Sequence, residues 1–309
     1  MGILVLTEPA PADDYADAVR KMAGDIPVWT SGDHPEATRV EAILAWRLKP
    51  GILPAYPNLR VLSGIGAGVD GLLHVPDLPE HVVVTRVVDP AQAVEIAQYV
   101  VAGVLHFTRD IGEYVRQQAE SRWRRLPVRG ASRCRVGILG VGRVGQAIAN
   151  AFLPLGYPVT GWSRSSRPAS NIEVVSGAGA LLGFLACTDI LVCALPLTQE
   201  THGLLNRARL AVLPQGAIVV NVGRGGHLVE ADLRELLDSG HLGGAVLDVF
   251  ANEPPPRDNW VWQHQKVLAT PHIASSPARQ LVAEQCVDAL VRARRGLAQP
   301  NAVDRALGY

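Results

Sequence analysis

A glycine-rich segment near the middle of the chain restricts its fold more than any other feature. Gly140, Gly142 and Gly145 follow the apolar run CRVGIL and precede QAIANAF, which has the composition of a helix. A GxGxxG pattern between a strand and a helix is typical of dinucleotide-binding units. The first glycine permits the tight turn, the second admits the pyrophosphate, and the third lets the helix pack on the strand. An ordinary strand–helix turn is the alternative, and the flanking strand and helix favour the dinucleotide site.

The segments on both sides of this loop alternate between apolar runs and helical patterns. The runs before residue 98 are ILVL, EAILAW, LRVLSGIG and VVVTRVV, and those from Arg133 onward are CRVGIL, PVTGW, DILVCALP, AIVVNVG, GAVLDVF and KVLATPH. Such alternation predicts parallel sheets covered by helices. We therefore expect an α/β protein with two doubly wound parallel-sheet domains. Residues 1–98 with 278–309 form the substrate domain, and residues 99–277 form the dinucleotide-binding domain.

Two long segments predict helices outside this alternation. AQAVEIAQYVVAGVLHFTRDIGEYVRQQAESRW has apolar residues at helical spacing and others off that stripe, which predicts one long helix that buries more than one face. We expect a homodimer with this helix, and Trp123 just beyond it, at the interface. SPARQLVAEQCVDALVRARRG predicts an amphipathic helix that returns to the first domain.

The charge and the cysteine content argue against several partners. The chain has 29 Lys and Arg and 29 Asp and Glu, so its net charge of zero predicts neither a nucleic-acid partner nor binding to an anionic membrane. The longest apolar stretch is interrupted by Glu95, Gln98 and His106 and does not predict a transmembrane helix. The four cysteines form no CxxC pair, no metal site is predicted and no signal peptide is recognised, so we expect free thiols and a cytoplasmic protein.

The end of the second strand of the dinucleotide-binding domain indicates which dinucleotide binds. An acidic residue there would accept a hydrogen bond from the ribose 2′-hydroxyl of NAD. Here the strand ends GWSRSSR, without Asp or Glu. Ser163, Arg164 and Ser165, with Arg167 two residues later, offer hydroxyl and guanidinium groups to a 2′-phosphate. We therefore expect NADP to be preferred and NAD to be the second cofactor; a solvated basic loop is the alternative.

Three more segments stand at the carboxyl ends of predicted strands, where ligands bind in this fold. They are NVGRGG, LDVFANEP and TPHIA, and they contribute Arg224, Glu253 and His272 as candidate catalytic residues. Each residue alone could be a surface charge or a satisfied loop residue. Consecutive strand ends downstream of a dinucleotide loop make them a set. His227 is a second candidate histidine, but it precedes a helix rather than ending a strand, so we rank it below His272.

These segments together resemble the D-isomer-specific 2-hydroxyacid dehydrogenase family. The glycine loop, the arginine segment, LDVFANEP and TPHIA follow the family's order, and the resemblance covers essentially the whole chain. GWSR, LLDSGHLGGAVLDVF, WQHQKVLATPHIA and the ending VDRALGY look most like the glyoxylate/hydroxypyruvate reductase branch. The resemblance implies a Rossmann dinucleotide-binding domain, a flavodoxin-like substrate domain and an active site in the cleft between them.

The resemblance also implies how the candidate residues act on a 2-oxo acid. His272 would donate a proton to the carbonyl oxygen while the nicotinamide delivers a hydride to the carbonyl carbon. Glu253 would orient the imidazole ring and favour its protonated form, and Arg224 would bind the substrate carboxylate and polarise the carbonyl. Asp248 would accept a hydrogen bond from the nicotinamide carboxamide.

Two sets of residues are predicted to bind the ligands, and the resemblance implies the roles of residues 65–68, Leu195 and Pro196 among them. The loop SGIGAGVD offers backbone N–H groups to a carboxylate, although it could also be a packing turn. Trp46 could wall off a small substrate or belong to the core, and Arg47 beside it leaves open a substrate with a second anionic or polar group. The predicted substrate-binding residues are Trp46, Ile65, Gly66, Ala67, Gly68, Arg224 and His272. The predicted cofactor-binding residues are Gly140, Val141, Gly142, Arg143, Val144, Gly145, Trp162, Ser163, Arg164, Ser165, Leu195, Pro196, Val222, Gly223 and Asp248.

We therefore expect an NADPH-dependent reductase that converts small 2-oxo acids such as glyoxylate and hydroxypyruvate to D-2-hydroxy acids. One alternative is a corepressor-like interaction protein of the same fold that senses NAD(H). The lack of a basic patch and of long disordered tails argues against it. The other alternative is an NAD-linked D-2-hydroxyacid dehydrogenase that works in the oxidative direction.

Overall fold

The computed structural model describes residues 1–8, 10–165 and 171–305. The chain divides into two compact units. The first unit is Met1–Pro90 with Ser276–Tyr309, and the second unit is Ala91–Ser275.

The strands are β1 (Gly2–Leu6), β2 (Val28–Thr30), β3 (Val40–Ala45), β4 (Val61–Gly64), β5 (Val83–Thr85), β6 (Val136–Leu139), β7 (Val159–Ser163), β8 (Glu173–Ser176), β9 (Ile190–Cys193), β10 (Ala217–Asn221), β11 (Leu242–Leu247) and β12 (Val267–Ala269). The α-helices are α1 (Ala12–Ala23), α2 (Asp70–Leu73), α3 (Pro90–Thr108), α4 (Ile111–Ala119), α5 (Arg143–Phe152), α6 (Leu181–Ala186), α7 (Arg207–Leu210), α8 (Glu230–Asp238) and α9 (Arg279–Arg295).

Each unit is built on a parallel sheet. Within the described residues, the first unit has five strands in the order β2-β1-β3-β4-β5, and the second has seven in the order β12-β11-β10-β9-β6-β7-β8. The pairings between these strands are parallel. The second order is that of a Rossmann sheet and the first is that of a flavodoxin-like sheet. The predicted fold class, with two doubly wound parallel sheets, is confirmed.

The register of the second sheet aligns the ends of its strands. Cys193 lies opposite Asn221, Asn221 lies opposite Leu247, and Leu247 lies opposite Ala269. These residues are the last of β9, β10, β11 and β12. Because parallel strands end at the same edge of the sheet, the segments that follow them emerge side by side. These segments carry the three candidate catalytic residues, Arg224, Glu253 and His272.

Helices cover both faces of the second sheet. Leu185 of α6 and Leu233 of α8 belong to the core on one face, and Val100 of α3 and Ile148 of α5 belong to the core on the other. Strands covered on both faces are apolar throughout instead of alternating. Accordingly β6, β9 and β10 are buried at every position, which is why they were visible in the sequence as continuous apolar runs.

The structure differs from the predicted elements in two places. The single long helix predicted after residue 90 is wrong, because α3 ends at Thr108 and α4 begins at Ile111. Asp110 between them has a φ of +51°, a left-handed conformation that no α-helix continues through. Strands β2 and β8 were not predicted. They lie at sheet edges and are only partly buried, so their sequences lack a strong apolar run.

The boundaries between the two units follow Pro90 and Ser275, whereas the predicted boundaries follow residues 98 and 277. Helix α3 runs through residue 98 without a break, so no local signal marks the boundary. Helix α9 packs against α1 within the first unit. This is the helix that was predicted to return to the first domain.

Among the described residues, no helix is both long and apolar enough to cross a membrane.

The third glycine of the loop occupies a position where no side chain fits. A Cβ atom on Gly145 would lie 1.9 Å from the carbonyl oxygen of Gly140, and this backbone atom cannot move without shifting the loop. We expect Gly145→Ala to lower the free energy of unfolding by about 1–3 kcal/mol, the usual cost of overpacking. Urea denaturation measures this change. Gly183→Ala in α6 is the control, because no atom lies within 4 Å of its Cβ position, and its stability should not fall. Equal stability of Gly145→Ala and the wild type would contradict the close packing.

Candidate active site

The glycine-rich loop lies where the strand order of the second sheet reverses. Strand β6 has β7 on one side and β9 on the other, so the connections from β6 and β9 diverge and leave a crevice at their carboxyl ends. Gly140 has a φ of +94°, and a Cβ atom on it would lie 2.8 Å from the carbonyl oxygen of Ala194, which follows β9. A glycine is therefore required for both the turn and the close approach.

The loop and the helix that follows it fit a dinucleotide. Helix α5 begins at Arg143 with Gly142 as its N-cap, and the first N–H groups of a helix have no acceptor within it. No atom lies within 4 Å of the Cβ position of Gly142, which is exposed. Val141 is buried and Val144 is half-buried, so their side chains support the loop from within. An anion can therefore reach the backbone and the helix N-terminus directly.

Strand β7 ends in residues predicted to bind the cofactor. Trp162 is buried, and its indole N–H donates to the carbonyl oxygen of Gly177 at 3.0 Å. Its own carbonyl oxygen accepts the N–H of Gly140 at 2.9 Å, so Trp162 supports the glycine loop. The hydroxyl of Ser163 donates to the carbonyl oxygen of Ser165 at 2.6 Å. Binding a phosphate through this hydroxyl requires that bond to be exchanged, and the cofactor contacts of these residues stay predictions.

Arg164 pairs with a carboxylate from another loop. Its Nη1 donates to Oε2 of Glu200, and the two side chains are 61% and 65% exposed. Glu200 belongs to the segment after β9, not to the end of β7 where a carboxylate would select NAD. An ion pair this exposed contributes at most about 1 kcal/mol, so a phosphate can compete for Arg164. Arg167 lies outside the described residues.

The arginine segment after β10 is held by its own side chains. The amide of Asn221 donates to the carbonyl oxygen of Arg224 at 3.0 Å, and its Oδ1 accepts the N–H of Gly223 at 3.2 Å. Nη1 of Arg224 donates to the carbonyl oxygen of Gly223 at 2.8 Å. A Cβ atom on Gly225 would lie 1.9 Å from the carbonyl carbon of Phe250. The arginine segment therefore lies directly against the chain that leads to Glu253.

The predicted cofactor residues after β9 and β10 lie at the same edge. The N–H of Val222 donates to the carbonyl oxygen of Cys193 at 3.2 Å. A Cβ atom on Gly223 would lie 3.0 Å from the carbonyl oxygen of Leu195. These backbone contacts join the segment of Leu195 and Pro196 to the segment that carries Arg224.

His227 is fully buried beneath the arginine segment. Its Nδ1 lies 3.0 Å from both the amide nitrogen and the carbonyl oxygen of Arg224, and its Nε2 lies 3.2 Å from the carbonyl oxygen of Pro196. Burial opposes the charged ring, but Cys193 and the carbonyl oxygens of Pro196 and Arg224 raise the pKa of His227 above its usual value. The Arg224 backbone has a partner for Nδ1 of His227 in either protonation state. Its N–H donates to the unprotonated nitrogen, and its carbonyl oxygen accepts from the protonated one. Because the ring is 0% exposed, it anchors the segment and does not meet a substrate.

Glu253 and His272 form a hydrogen-bonded pair at the same sheet edge. Nδ1 of His272 lies 3.1 Å from Oε2 of Glu253, whose Oε1 accepts the N–H of Phe250 at 3.0 Å. The His272 and Glu253 side chains are 26% and 16% exposed, so the pair is shielded but reachable. The carboxylate fixes the orientation of the ring and attracts the proton on Nδ1. The other ring nitrogen, Nε2, is therefore the one turned away from the carboxylate.

Asp248 is 1% exposed and holds the turn that carries His272. Its Oδ1 accepts the hydroxyl of Thr270 at 2.6 Å and the N–H of Ile273 at 2.8 Å, and its Oδ2 accepts the N–H of Ala274 at 2.9 Å. Its carbonyl oxygen accepts the N–H of His272 at 2.9 Å. His272 has a φ of +55°, which costs a non-glycine residue about 1–3 kcal/mol. The four bonds to Asp248 offset this cost, and its predicted contact with the nicotinamide stays a prediction.

The predicted substrate-binding residues of the first unit also come together. Trp46 follows β3 and Ile65 follows β4. The Trp46 ring lies 3.0 Å from the Cβ position of Gly66, so the absence of a side chain there lets the indole lie against the loop. Residues 65–66 are buried, and residues 67–68 and Trp46 are half-buried. Arg47 is exposed.

Sequence reasoning missed three parts of this arrangement. They are Glu200 opposite Arg164, the anchoring of the arginine segment by His227, and Tyr99 of α3, whose hydroxyl meets Thr270. Only Glu200 had a local signal, because it lies four residues after Pro196, which was predicted to bind the cofactor. In the ranges 1–8, 10–165 and 171–305, no group of three or more His, Cys, Asp or Glu side chains is placed to hold a metal ion.

The chain is similar in sequence to known dehydrogenases. A family model described as D-isomer specific 2-hydroxyacid dehydrogenase, NAD binding domain, matches residues 101–274. The glyoxylate/hydroxypyruvate reductase A of Klebsiella pneumoniae strain 342 is 35% identical over 286 residues, which cover 91% of this chain and 90% of that protein.

Solved structures show the same similarity over the full length. A D-isomer specific 2-hydroxyacid dehydrogenase from Xanthobacter autotrophicus Py2, in complex with NADPH and MES, is 38% identical with a TM-score of 0.89, and the match covers 100% of this chain and 99% of that chain. The NADPH-dependent glyoxylate/hydroxypyruvate reductase from Sinorhizobium meliloti, in complex with NADP and sulfate, is 32% identical with a TM-score of 0.91, and the match covers 100% of both chains.

Proposed function

Because this chain belongs to the D-isomer specific 2-hydroxyacid dehydrogenase family, we propose that it is an NADPH-dependent reductase of glyoxylate and hydroxypyruvate. The names of its relatives support both the substrates and the cofactor. They are names of enzymes, which favours catalysis over the interaction-protein alternative. The NADPH-dependent reductase from Sinorhizobium meliloti favours reduction over the NAD-linked oxidative alternative.

The hydrogen bond between His272 and Glu253 is the observation that carries this proposal. It places an oriented imidazole, with Nδ1 3.1 Å from Oε2 of Glu253, at the sheet edge where the glycine loop and the arginine segment lie. A proton donor and a fixed cation beside a dinucleotide loop are what the reduction of a 2-oxo acid requires.

We assign the following roles to the residues of the chain. Bound NADPH supplies the hydride for the carbonyl carbon. His272 donates its Nε2 proton to the carbonyl oxygen, so the carbonyl becomes a hydroxyl and the ring becomes neutral. Arg224 binds the substrate carboxylate and stabilises the negative charge that develops on the carbonyl oxygen. In the first unit, the N–H groups of residues 65–68 are donors for a carboxylate, and Trp46 beside them limits the size of the substrate.

The cofactor is held by two other groups of residues in this proposal. The N–H groups of the glycine loop and of the first turn of α5 bind the pyrophosphate. Arg164 and Ser163 bind the 2′-phosphate that distinguishes NADP from NAD. Asp248 binds the nicotinamide carboxamide in addition to holding the His272 turn.

The proton donor is tested with His272→Ala. We expect kcat for glyoxylate to fall by about 100- to 10,000-fold, the usual contribution of general acid–base catalysis, while the Kd for NADPH changes little. Steady-state kinetics and fluorescence titration measure the two. His264→Ala is the matched control, because His264 also lies 3.1 Å from a carboxylate, that of Asp238, but precedes β12 and is not at the carboxyl end of a strand. Near-normal turnover of His272→Ala would remove this residue from the mechanism.

Cofactor choice is tested with variants of the β7 loop. We expect Arg164→Ala to raise the KM for NADPH about tenfold, the effect of one charge-assisted hydrogen bond at an exposed site, and to leave the KM for NADH nearly unchanged. Ser163→Asp should reverse the preference by repelling the 2′-phosphate and accepting from the 2′-hydroxyl. Glu200→Gln should lower the KM for NADPH, because it removes the competing carboxylate. A wild type that prefers NADH would show that this loop does not bind the phosphate.

We also propose a homodimer through α3, α4 and the segment that follows them. Several large apolar side chains of this region are exposed; they are Val94, Ile111, Tyr114, Val115, Trp123 and Val128. Trp123 is 98% exposed, which is unusual for a residue of its size unless a partner covers it.

The zero net charge supports the absence of a nucleic-acid partner, and the free cysteines support a cytoplasmic location.

The dimer is tested by placing charges in this region. We expect the wild type to have twice the mass of one chain by light scattering at micromolar concentration. The double variant Val115→Asp and Trp123→Glu should shift it toward one chain, because a buried unpaired charge is costly. Trp262→Glu is the control, since Trp262 is also an exposed tryptophan of the second unit, at 51%. A wild type with the mass of a single chain would contradict the proposal.

A further inference from the structure

Tyr99 of α3 begins a directed chain of hydrogen bonds that ends at Asp248. Its hydroxyl oxygen lies 2.6 Å from Oγ1 of Thr270, and Oγ1 donates to Oδ1 of Asp248 at 2.6 Å. The Thr270 hydroxyl has one proton, which the carboxylate accepts, so Tyr99 must be the donor in the first bond. Burial raises the pKa of Tyr99 to about 12, so its proton is retained near neutral pH.

The end of this chain is the carboxylate that shapes the His272 turn. Asp248 also accepts the N–H groups of Ile273 and Ala274, and its carbonyl oxygen accepts the N–H of His272. Asp248 is 1% exposed, so bulk water does not replace a donor that is lost from the turn. The bond from Tyr99 fixes the Thr270 hydroxyl, and that hydroxyl fixes one oxygen of Asp248.

The same face of α3 makes a second contact with this turn. Glu95 lies four residues before Tyr99, which places both side chains on one side of the helix. The hydroxyl of Ser275 donates to Oε2 of Glu95 at 2.6 Å. Thr270 and Ser275 are the two ends of the turn, and His272 lies between them. Helix α3 therefore contacts the turn both before and after the proposed proton donor.

We propose that Tyr99 is a positioning residue for the reduction, which holds His272 in its left-handed conformation through Thr270 and Asp248. This inference rests on the proposed function of His272. Glu95 has a supporting role, because its bond to Ser275 is exposed. Tyr99 itself touches neither substrate nor cofactor in this proposal, and its effect on the reaction passes through the turn.

Tyr99→Phe tests the inference, because it removes only the hydroxyl. We expect kcat for glyoxylate to fall about 3- to 10-fold, the equivalent of one neutral hydrogen bond, with the KM for NADPH unchanged within about twofold. Thr270→Val should lower kcat at least as much, and Thr270→Ser, which keeps the hydroxyl, should restore it. The double variant Tyr99→Phe and Thr270→Val should be no slower than Thr270→Val alone, because the two residues act through one chain.

A second measurement does not depend on turnover. Hydrogen exchange followed by mass spectrometry reports the amides of Ile273 and Ala274, and Tyr99→Phe should make the peptide that contains them exchange faster. Thr188→Val is the matched control: it removes a buried hydroxyl that donates to the carbonyl oxygen of Phe184 at 2.8 Å in the same unit. It should lower stability without changing kcat or the exchange of the turn.

The outcomes separate this inference from the proposed function. A kcat of Tyr99→Phe within twofold of the wild type, or an equal loss in Thr188→Val, would overturn the positioning role. Additive effects of Tyr99→Phe and Thr270→Val would also overturn it. If the wild type reduces none of the 2-oxo acids, the proposed function fails, and the exchange of the 270–275 turn alone then decides whether Tyr99 holds it.

Discussion

Parallel pairing of the strands is the constraint on which the site depends. It requires every strand of the second sheet to end at one edge, and the register places Cys193, Asn221, Leu247 and Ala269 side by side there. The segments after these residues carry Leu195 and Pro196, Arg224, Asp248 with Glu253, and His272. Residues that are far apart in the sequence therefore become neighbours through backbone pairing alone. What remains for the side chains is to fix the segments relative to one another.

Buried polar groups do this fixing, because each of them must find a partner within the protein. Asp248 is the clearest case: its carboxylate and its carbonyl oxygen accept four hydrogen bonds from the turn around His272. His227 plays the same part beneath Arg224 and contacts the backbone of Arg224 and Pro196. Arg224 and His272 are thus each carried on an irregular segment that a buried side chain holds in place.

The loop that follows β7 is built differently, because its charged group, Arg164, is exposed. Arg164 and Glu200 form an ion pair that solvent screens, so the pair costs little to separate when a 2′-phosphate arrives. In the proposed cofactor site, selectivity for NADP depends on two features, the lack of a carboxylate on β7 and the weakness of the competing carboxylate of Glu200. The first feature is a property of the local sequence, whereas the second exists only because β6, β7 and β9 are neighbours.

The sequence by itself determined the class of the fold, the order of its motifs and the identity of the candidate residues, because these depend on local patterns. Apolar runs mark buried strands, and the glycine spacing marks a strand–helix turn that admits an anion. The break at Asp110, the edge strands β2 and β8, and the contacts of Tyr99 with Thr270 and of Arg164 with Glu200 were decided only by the tertiary structure. Tyr99 and Thr270 are 171 residues apart, and no local pattern indicates that one hydroxyl will meet the other. Packing of α3 against the sheet brings them together, and the burial of Asp248 then makes their hydrogen bonds necessary.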